Sequence, residues 1–114
     1  MQRIVTAQQA DSGSVRGLIN TLRGRFGFLE AMPIGQSVLG RDIQGLILGN
    51  GRERILYAAG FHAQEWITSL VLLRLIEDLC VALEKGGNIA DIRVPEALVG
   101  RSLVFVPQVN PDGV

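Results

Sequence analysis

Apolar residues near the start of the chain recur at helical spacing. They predict a helix over residues 13–25, opened by polar side chains at 11–14 that suit the N-cap position. Gly17 and Gly24 count against this helix, because glycine is a poor helix former. Its apolar face is made of residues three and four positions apart, namely Val15, Leu18, Ile19, Leu22 and Phe26.

A second and longer helix is predicted over residues 66–83. Its polar residues, among them Arg74, Glu77 and Asp78, form one narrow stripe, and the rest of its circumference is apolar. A helix of this kind is expected to be buried on more than one side. The sequence Gly86-Gly87 follows it, and C-terminal glycines commonly end helices.

Two short apolar runs between these helices predict a pair of strands. They cover residues 29–38 and 42–48, and Leu39-Gly40-Arg41 separates them as a tight turn. Pro33 suits an edge strand, since it has no amide hydrogen to donate to a neighbour.

Two further predicted strands, at 54–59 and 103–109, enclose the second helix. Residues 88–101 form the connection to the last strand, with one helical turn opened by Pro95. Strand, helix and strand in this order imply a parallel crossover. Asn50-Gly51, in contrast, is a hairpin signal that favours antiparallel pairing of its two flanking strands. Together the elements predict an α/β fold with a mixed β-sheet flanked by helices.

The size and charge of the chain narrow its possible functions. A chain of 114 residues forms one domain at most, and 47% apolar with 19% charged residues is a globular composition. Eleven basic and eleven acidic residues balance, so nothing favours nucleic acid or a membrane surface as a partner. With Cys80 as the only cysteine and no apolar leader at 1–10, we expect a cytoplasmic protein.

The candidate chemistry lies between the strand at 54–59 and the second helix. His62 and Glu65 are three residues apart, so both side chains can turn toward one point as the backbone enters a helix. Imidazole nitrogen and carboxylate oxygen are both ligands for zinc. A bare His-x-x-Glu is unspecific, however, and an ordinary surface or core histidine beside an unrelated glutamate is the competing interpretation.

Four separated motifs resemble the zinc carboxypeptidase family of metallopeptidases. Any one of them is unspecific, but their order and spacing together are similar to the N-terminal part of that catalytic domain. The similarity extends over about residues 33–114, whereas residues 1–32 contribute little to it. The motifs are Ile34-Gly35-Gln36-Ser37, Gly40-Arg41-Asp42-Ile43, Gly60-Phe61-His62-Ala63-Gln64-Glu65-Trp66-Ile67 and Asn110-Pro111-Asp112-Gly113.

The resemblance implies a fold and a class of activity. The chain is expected to be a partial catalytic domain over 1–114, with a helical lead-in at 1–32 and a family-like core at 33–114. The resemblance implies that these residues form the N-terminal half of a zinc-carboxypeptidase-like (phosphorylase/hydrolase-like) fold. Within the family, the motifs look most like γ-D-glutamyl-diaminopimelate peptidases, which act on bacterial cell-wall peptides, and next like digestive carboxypeptidases. The family order places the strand at 103–109 between its two predecessors, and we favour that order over a hairpin at Asn50-Gly51.

The resemblance also assigns roles to residues. His62 and Glu65 match the first two zinc ligands, and Gln64 occupies a position where some relatives have a basic residue lining the substrate cleft. Arg41-Asp42 and Asn110-Pro111-Asp112-Gly113 match motifs that fix turns. The third zinc ligand, the substrate-binding arginines and the glutamate general base of the family have no counterpart among these residues.

We therefore expect the chain by itself to bind zinc weakly and to be catalytically inactive, although we expect the parent protein to be a peptidase. Cys80 is too far along the helix to complete the site, at about 22 Å from Glu65 at 1.5 Å per residue. In a rarer arrangement, two chains would each contribute His62 and Glu65 as ligands to one zinc ion. The alternative function is a non-catalytic binding or assembly module. The strand at 54–59 is expected at a sheet edge, where it favours self-association, as does the helix at 66–83.

Overall fold

The computed structural model describes residues 4–6, 12–60, 66–89 and 92–109. Within these ranges the predicted helices and strands are present, with bounds that differ by a few residues. A two-stranded ribbon that the sequence did not predict lies in the connection after the long helix. In chain order the elements are α1 (Ser12–Arg25), β1 (Glu30–Gln36), β2 (Asp42–Gly49), β3 (Glu53–Ala58), α2 (Trp66–Lys85), β4 (Asn88–Ile89), β5 (Ile92–Arg93), α3 (Val94–Ala97) and β6 (Arg101–Val106).

The four longer strands form one mixed sheet in the order β1-β2-β6-β3. The pairs β1–β2 and β2–β6 are antiparallel, whereas β3 and β6 are parallel and are joined through α2. This order confirms the expectation that the last strand lies between the second and the third. It also confirms the mixed α/β sheet with a parallel crossover.

Asn50-Gly51 does not form a hairpin, because β2 and β3 are not neighbours. The chain here crosses the start of β6, where Gly51 N donates to Arg101 O at 3.2 Å. A Cβ atom on Gly51 would lie 2.0 Å from Arg101 N, so the crossing leaves room only for glycine. The segment with Asn50-Gly51 therefore connects two strands that are separated in the sheet by a third strand.

The turn between β1 and β2 is the predicted tight turn. Ser37 N donates to Arg41 O at 2.8 Å, and Gly40 N donates to Ser37 O at 2.9 Å. Gly40 has a φ of +80°, which glycine adopts without steric cost. Pro33 lies in β1, an edge strand of the described sheet, as its missing amide hydrogen predicted.

One apolar core joins the two long helices to the sheet. The largest fully buried side chains come from α1 and the turn after it, from β2, from α2 and from β6. They include Leu22, Phe26, Leu46, Leu48, Leu73, Ile76 and Phe105. β6 is buried along most of its length, as expected for a strand paired on both sides. The core therefore fixes α2 against the sheet, and with it the end of β3 that leads toward α2.

The surface of α2 differs from its predicted pattern in two ways. Glu77, expected in the polar stripe, is fully buried, whereas Ile67 and Val71 are more than half exposed. The reason for the burial lies outside the helix. Ile4 N and Val5 N donate to the two carboxylate oxygens of Glu77 at 2.7 Å and 3.0 Å, so the charge is compensated by backbone N–H groups.

The ends of α2 follow the sequence signals. Gly86, with a φ of +67°, terminates the helix, and Gly87 N donates back to Ala82 O at 2.7 Å. Exposed Arg25 at the end of α1 donates two hydrogen bonds to Glu84, at 2.7 Å and 2.8 Å. Among the described residues, no helix combines the length and the apolar character needed to cross a membrane.

Candidate metal centre

The segment that carries the candidate ligands is held at both ends by well-defined elements. Before it, Ala59 continues the pairing of β3 with β6, since Ala59 N donates to Val106 O at 3.0 Å. Val109 N donates to Ala59 O at 2.9 Å, which brings the chain after β6 to the same place. After the segment, α2 begins at Trp66. The chain thus enters the stretch 61–65 where two parallel strands end, and such strand ends are the usual place for ligands in α/β sheets.

The predicted site residues themselves lie outside the described residues. His62, Gln64 and Glu65 fall in the stretch 61–65, and Asn110-Pro111-Asp112-Gly113 follows the last described residue. Within the described ranges, no group of three or more His, Cys, Asp and Glu side chains could hold a metal ion. His62 and Glu65 therefore stay a prediction, and the structure describes the framework on either side of them.

Gly60 is the point at which three elements meet. Its φ is +72°, and Gly60 N donates to Thr68 Oγ1 in the first turn of α2 at 3.2 Å. A Cβ atom at this position would lie 2.8 Å from Ser69 Oγ and 3.0 Å from Gln108 Cα. Only glycine fits so close an approach of β3, α2 and the end of β6, two residues before His62.

Two buried polar side chains beside Gly60 were not identified from the sequence. Ser69 is fully buried and Gln108 is 8% exposed. Among the residues that the structure describes, Ser69 Oγ and Gln108 Nε2 have no hydrogen-bond partner. Buried polar atoms are rarely left unpaired, and such atoms often mark a functional site. A serine in an apolar helix and a glutamine at the end of a buried strand are the signals that could have revealed them.

These observations fit a bound metal in two respects. Metal ligands are usually supported by hydrogen-bonding groups that orient them, and Ser69 Oγ is such a group close to Gly60, the last described residue before the stretch that contains His62 and Glu65. One imidazole and one carboxylate are also a donor set that zinc accepts. The chain's own residues are therefore compatible with zinc at this edge of the sheet.

Cys80 does not contribute to this site. It is fully buried in the middle of the core, as its expected role as a small apolar residue requires. Burial, together with the nearby carboxylates of Glu77 and Glu84, raises the pKa of its thiol to about 12. Since zinc binds the thiolate, this environment opposes metal binding as well.

Arg41 and Asp42 lie at the turn between β1 and β2. Arg41 N donates to Ser37 Oγ at 3.0 Å, and Gln36 Nε2 donates to Asp42 Oδ1 at 3.3 Å. Both contacts are exposed and link the two ends of the turn. They are consistent with the structural role that the resemblance assigned to this motif.

Comparison with known proteins finds a matching family and several relatives of this chain. Residues 18–114 match the family described as zinc carboxypeptidase. The γ-D-glutamyl-L-diamino acid endopeptidase 1 of Lysinibacillus sphaericus is 38% identical over 113 residues, which is 98% of this chain and 28% of that protein. An inactive metallocarboxypeptidase of Paracoccidioides lutzii is 27% identical over 92 residues, covering 75% of this chain and 15% of that protein.

Solved structures show the same fold. Bovine thrombin-activatable fibrinolysis inhibitor, in complex with tick carboxypeptidase inhibitor, superposes with a TM-score of 0.74 at 20% identity. The superposition covers 93% of this chain and 32% of that one. The 114 residues thus span less than a third of the length of these three proteins.

Proposed function

Since this chain belongs to the zinc carboxypeptidase family, we propose that it forms part of a zinc-dependent metallopeptidase that hydrolyses peptide bonds. The observation that carries the proposal is the position of His62-x-x-Glu65, which follows Gly60 where the parallel strands β3 and β6 end. The family match covers this segment. One relative is named an inactive metallocarboxypeptidase, so family membership alone does not establish catalysis.

His62 and Glu65 are the residues of this chain that would hold the metal. Zinc held there would supply Lewis-acid chemistry for peptide hydrolysis. The contribution of the described residues is to fix both ends of the stretch that contains the two ligands, through the Gly60 hydrogen bond to Thr68 and through the start of α2 at Trp66. His62 is the only histidine among the 114 residues, so a second imidazole ligand has to come from outside them.

We propose that the 114 residues alone are catalytically inactive. Catalytic zinc sites usually have three protein ligands and a water molecule, and His62 with Glu65 supplies two of the three. Gln64 lies between the ligands and is the proposed substrate contact. The division into a lead-in at 1–32 and a core at 33–114 stays a prediction, as does a cytoplasmic location.

The proposed substrate is a γ-D-glutamyl-diamino acid peptide of the kind found in bacterial cell walls. It is supported by the 38% identity to a protein named as a γ-D-glutamyl-L-diamino acid endopeptidase. A simple peptide cut from its carboxyl end is the second candidate, because the family is named for that activity.

A non-catalytic assembly module is the alternative function, and one feature of the sheet supports it. β3 lies at an edge of the described sheet, and its Leu56 and Tyr57 side chains are 66% and 41% exposed. An unprotected apolar edge favours pairing with another chain. We therefore also propose that the chain self-associates through β3.

Metal titration tests the proposed site directly. His62 is the only histidine in the sequence, so the imidazole ring resonances in an NMR spectrum belong to it and their shifts should report Zn²⁺ binding. We expect the wild-type chain to bind Zn²⁺ with a dissociation constant above about 1 μM, because it supplies two ligands rather than three. Calorimetry on His62→Ala and Glu65→Gln should show binding reduced or lost.

The matched control is Glu30→Gln, which neutralises an exposed carboxylate on β1 and should leave zinc affinity unchanged. Submicromolar binding to the monomeric wild type would contradict the two-ligand proposal. Unchanged affinity in His62→Ala would remove the site assignment itself.

A further inference from the structure

The four-stranded sheet has one face that the two long helices cover and a second face that they leave open. Directly paired residues of neighbouring strands point to the same face, and successive residues of one strand alternate between the two faces. Leu46 and Phe105 are such a pair, and both are fully buried in the core together with side chains of α1 and α2. Both helices therefore lie on the face of Leu46 and Phe105, and the alternate residues of each strand point to the open face.

Apolar residues form a row across the open face. Ile47 pairs with Val104, and Val104 pairs with Leu56, so the row crosses β2, β6 and β3. Leu56 is 66% exposed, and Ile47 and Val104 are half-buried although they belong to the two inner strands. Ile34 of β1 extends the row, since its Cδ1 lies 2.9 Å from the place of a Cβ on Gly45, which shares a face with Ile47. Contiguous apolar surface of this kind marks a site of contact with a partner.

Two opposite charges flank the row at opposite edges of the sheet. Glu30 on β1 pairs with Ile47 and so lies at one end of the row. Arg54 is two residues before Leu56 on β3, so it points to the same face at the other edge. Both residues are exposed, and neither has an ion-pair partner among the residues that the structure describes. The open face is therefore self-complementary, because a two-fold axis along the strands would bring the acidic margin of one copy over the basic margin of another.

We propose that two copies of this chain pack with their open faces against each other. This inference rests on the self-association proposed above, and it places Leu56 of the β3 edge at the margin of a larger contact. In the two-fold arrangement β1 of one copy lies over β3 of the other, with the two sheets about 10 Å apart. Arg54 is then one strand repeat, about 7 Å, from the residue opposite Glu30, so its extended side chain reaches that carboxylate.

The size of the open face predicts a weak dimer. Four strands at a spacing of about 4.8 Å, with six residues of about 3.3 Å each, give a footprint of about 400 Å². Stable interfaces bury about 800 Å² on each partner, which is larger. We therefore expect a dissociation constant between about 10 μM and 1 mM, and sedimentation velocity at up to about 1 mM protein covers this range.

Charge reversal tests the arrangement, because the two charges meet only across the interface. Arg54→Glu and Glu30→Arg each bring like charges together and should weaken association by about fivefold or more, since the two-fold axis repeats the contact. The double variant exchanges the charges and should associate within about twofold of the wild type, a recovery that excludes misfolding as the cause of the losses. The matched control is Glu53→Arg, whose side chain points to the covered face, where Glu53 pairs with Arg101. It should leave association unchanged.

Pairing of two β3 edges within one continuous sheet predicts a different pattern. Glu30 lies on β1 at the opposite edge, so Glu30→Arg would have no effect and the double variant would associate as Arg54→Glu does. That result would overturn packing through the open face and leave the proposed self-association through β3 in place. A wild type that stays monomeric up to about 1 mM would overturn both. Neither result bears on the proposed metal centre, because no residue of the stretch 61–65 takes part in the contact.

Discussion

Cys80 shows how strongly the core of this protein changes the chemistry of a single side chain. Its thiol is fully buried on α2, near the carboxylates of Glu77 and Glu84. Loss of solvation and the two negative charges oppose formation of the thiolate and raise the pKa from 9.0 to about 12. The thiol therefore stays protonated in the folded chain at pH values where an unfolded chain has lost this proton.

This difference makes stability depend on pH. Below pH 9.0 both states keep the thiol proton, whereas between 9.0 and about 12 the unfolded chain releases it and the folded chain does not. The free energy of unfolding should therefore fall with rising pH, by up to about 1.4 kcal/mol per unit from this group. Urea unfolding between pH 8 and 10.5, in steps of about half a unit, measures this slope.

Cys80→Ala is the control for that measurement. It removes the thiol and leaves the other titrating groups in place, so its unfolding free energy should decline less steeply over the same pH range. Parallel pH profiles for the wild type and Cys80→Ala would contradict the raised pKa.

At the scale of elements, the crossing of the segment after β2 over the start of β6 decides the strand order. Gly51 contacts Arg101 and Gly100 so closely that a Cβ would lie 2.0 Å from backbone atoms of both. Two backbone hydrogen bonds close the crossing, from Gly51 N to Arg101 O and from Glu53 N to Gly100 O, each 3.2 Å long. The place of β6 between β2 and β3 therefore depends on a close backbone contact at Gly51, which leaves no room for a side chain at that position.

Substituting two glycines tests this interpretation. Gly51→Ala should lower the free energy of unfolding by about 2–4 kcal/mol, because backbone atoms have to move to admit the methyl group. Gly17→Ala in α1 meets no atom within 4 Å and should instead stabilise the chain by about 0.5–1 kcal/mol, as alanine does within helices. Equal effects of the two substitutions in chemical denaturation would show that the crossing is not sterically tight.

For the molecule as a whole, the two edges of the described sheet differ in their protection. β1 carries Pro33 and an irregular register between Pro33 and Gly35, both of which hinder pairing with another strand. β3 pairs regularly with β6 through all six of its residues and has exposed Leu56 and Tyr57. The β3 edge is thus the one through which we propose that the chain self-associates.

Sedimentation velocity over a concentration series tests the proposed self-association. We expect the wild-type sedimentation coefficient to rise with concentration, and Leu56→Lys to suppress the rise because a lysine on an edge strand opposes pairing. Leu39→Lys is the matched control, since Leu39 is 68% exposed in the β1–β2 turn, away from β3. A wild type that sediments as a monomer at every concentration would exclude the β3 interface.

Periodicity and turn chemistry by themselves determined most of the elements of this protein. The bounds of α1 and α2 followed from helical spacing and from glycines such as Gly86, because these effects act within a few residues of the chain. The order of these elements also predicted the mixed sheet, whereas its strand order was predicted from the resemblance to the zinc carboxypeptidase family. The candidate ligands His62 and Glu65 also come from the sequence, and they stay predictions.

Only the tertiary structure decided the features that depend on distant partners. Glu77 is buried because backbone N–H groups of Ile4 and Val5 reach it from more than seventy residues away. Asn50-Gly51 fails as a hairpin because β6 is inserted between β2 and β3. Ser69 and Gln108 gain their place beside Gly60 only when three elements converge. Such contacts leave no periodic pattern in the chain, since each depends on two segments that meet only after folding.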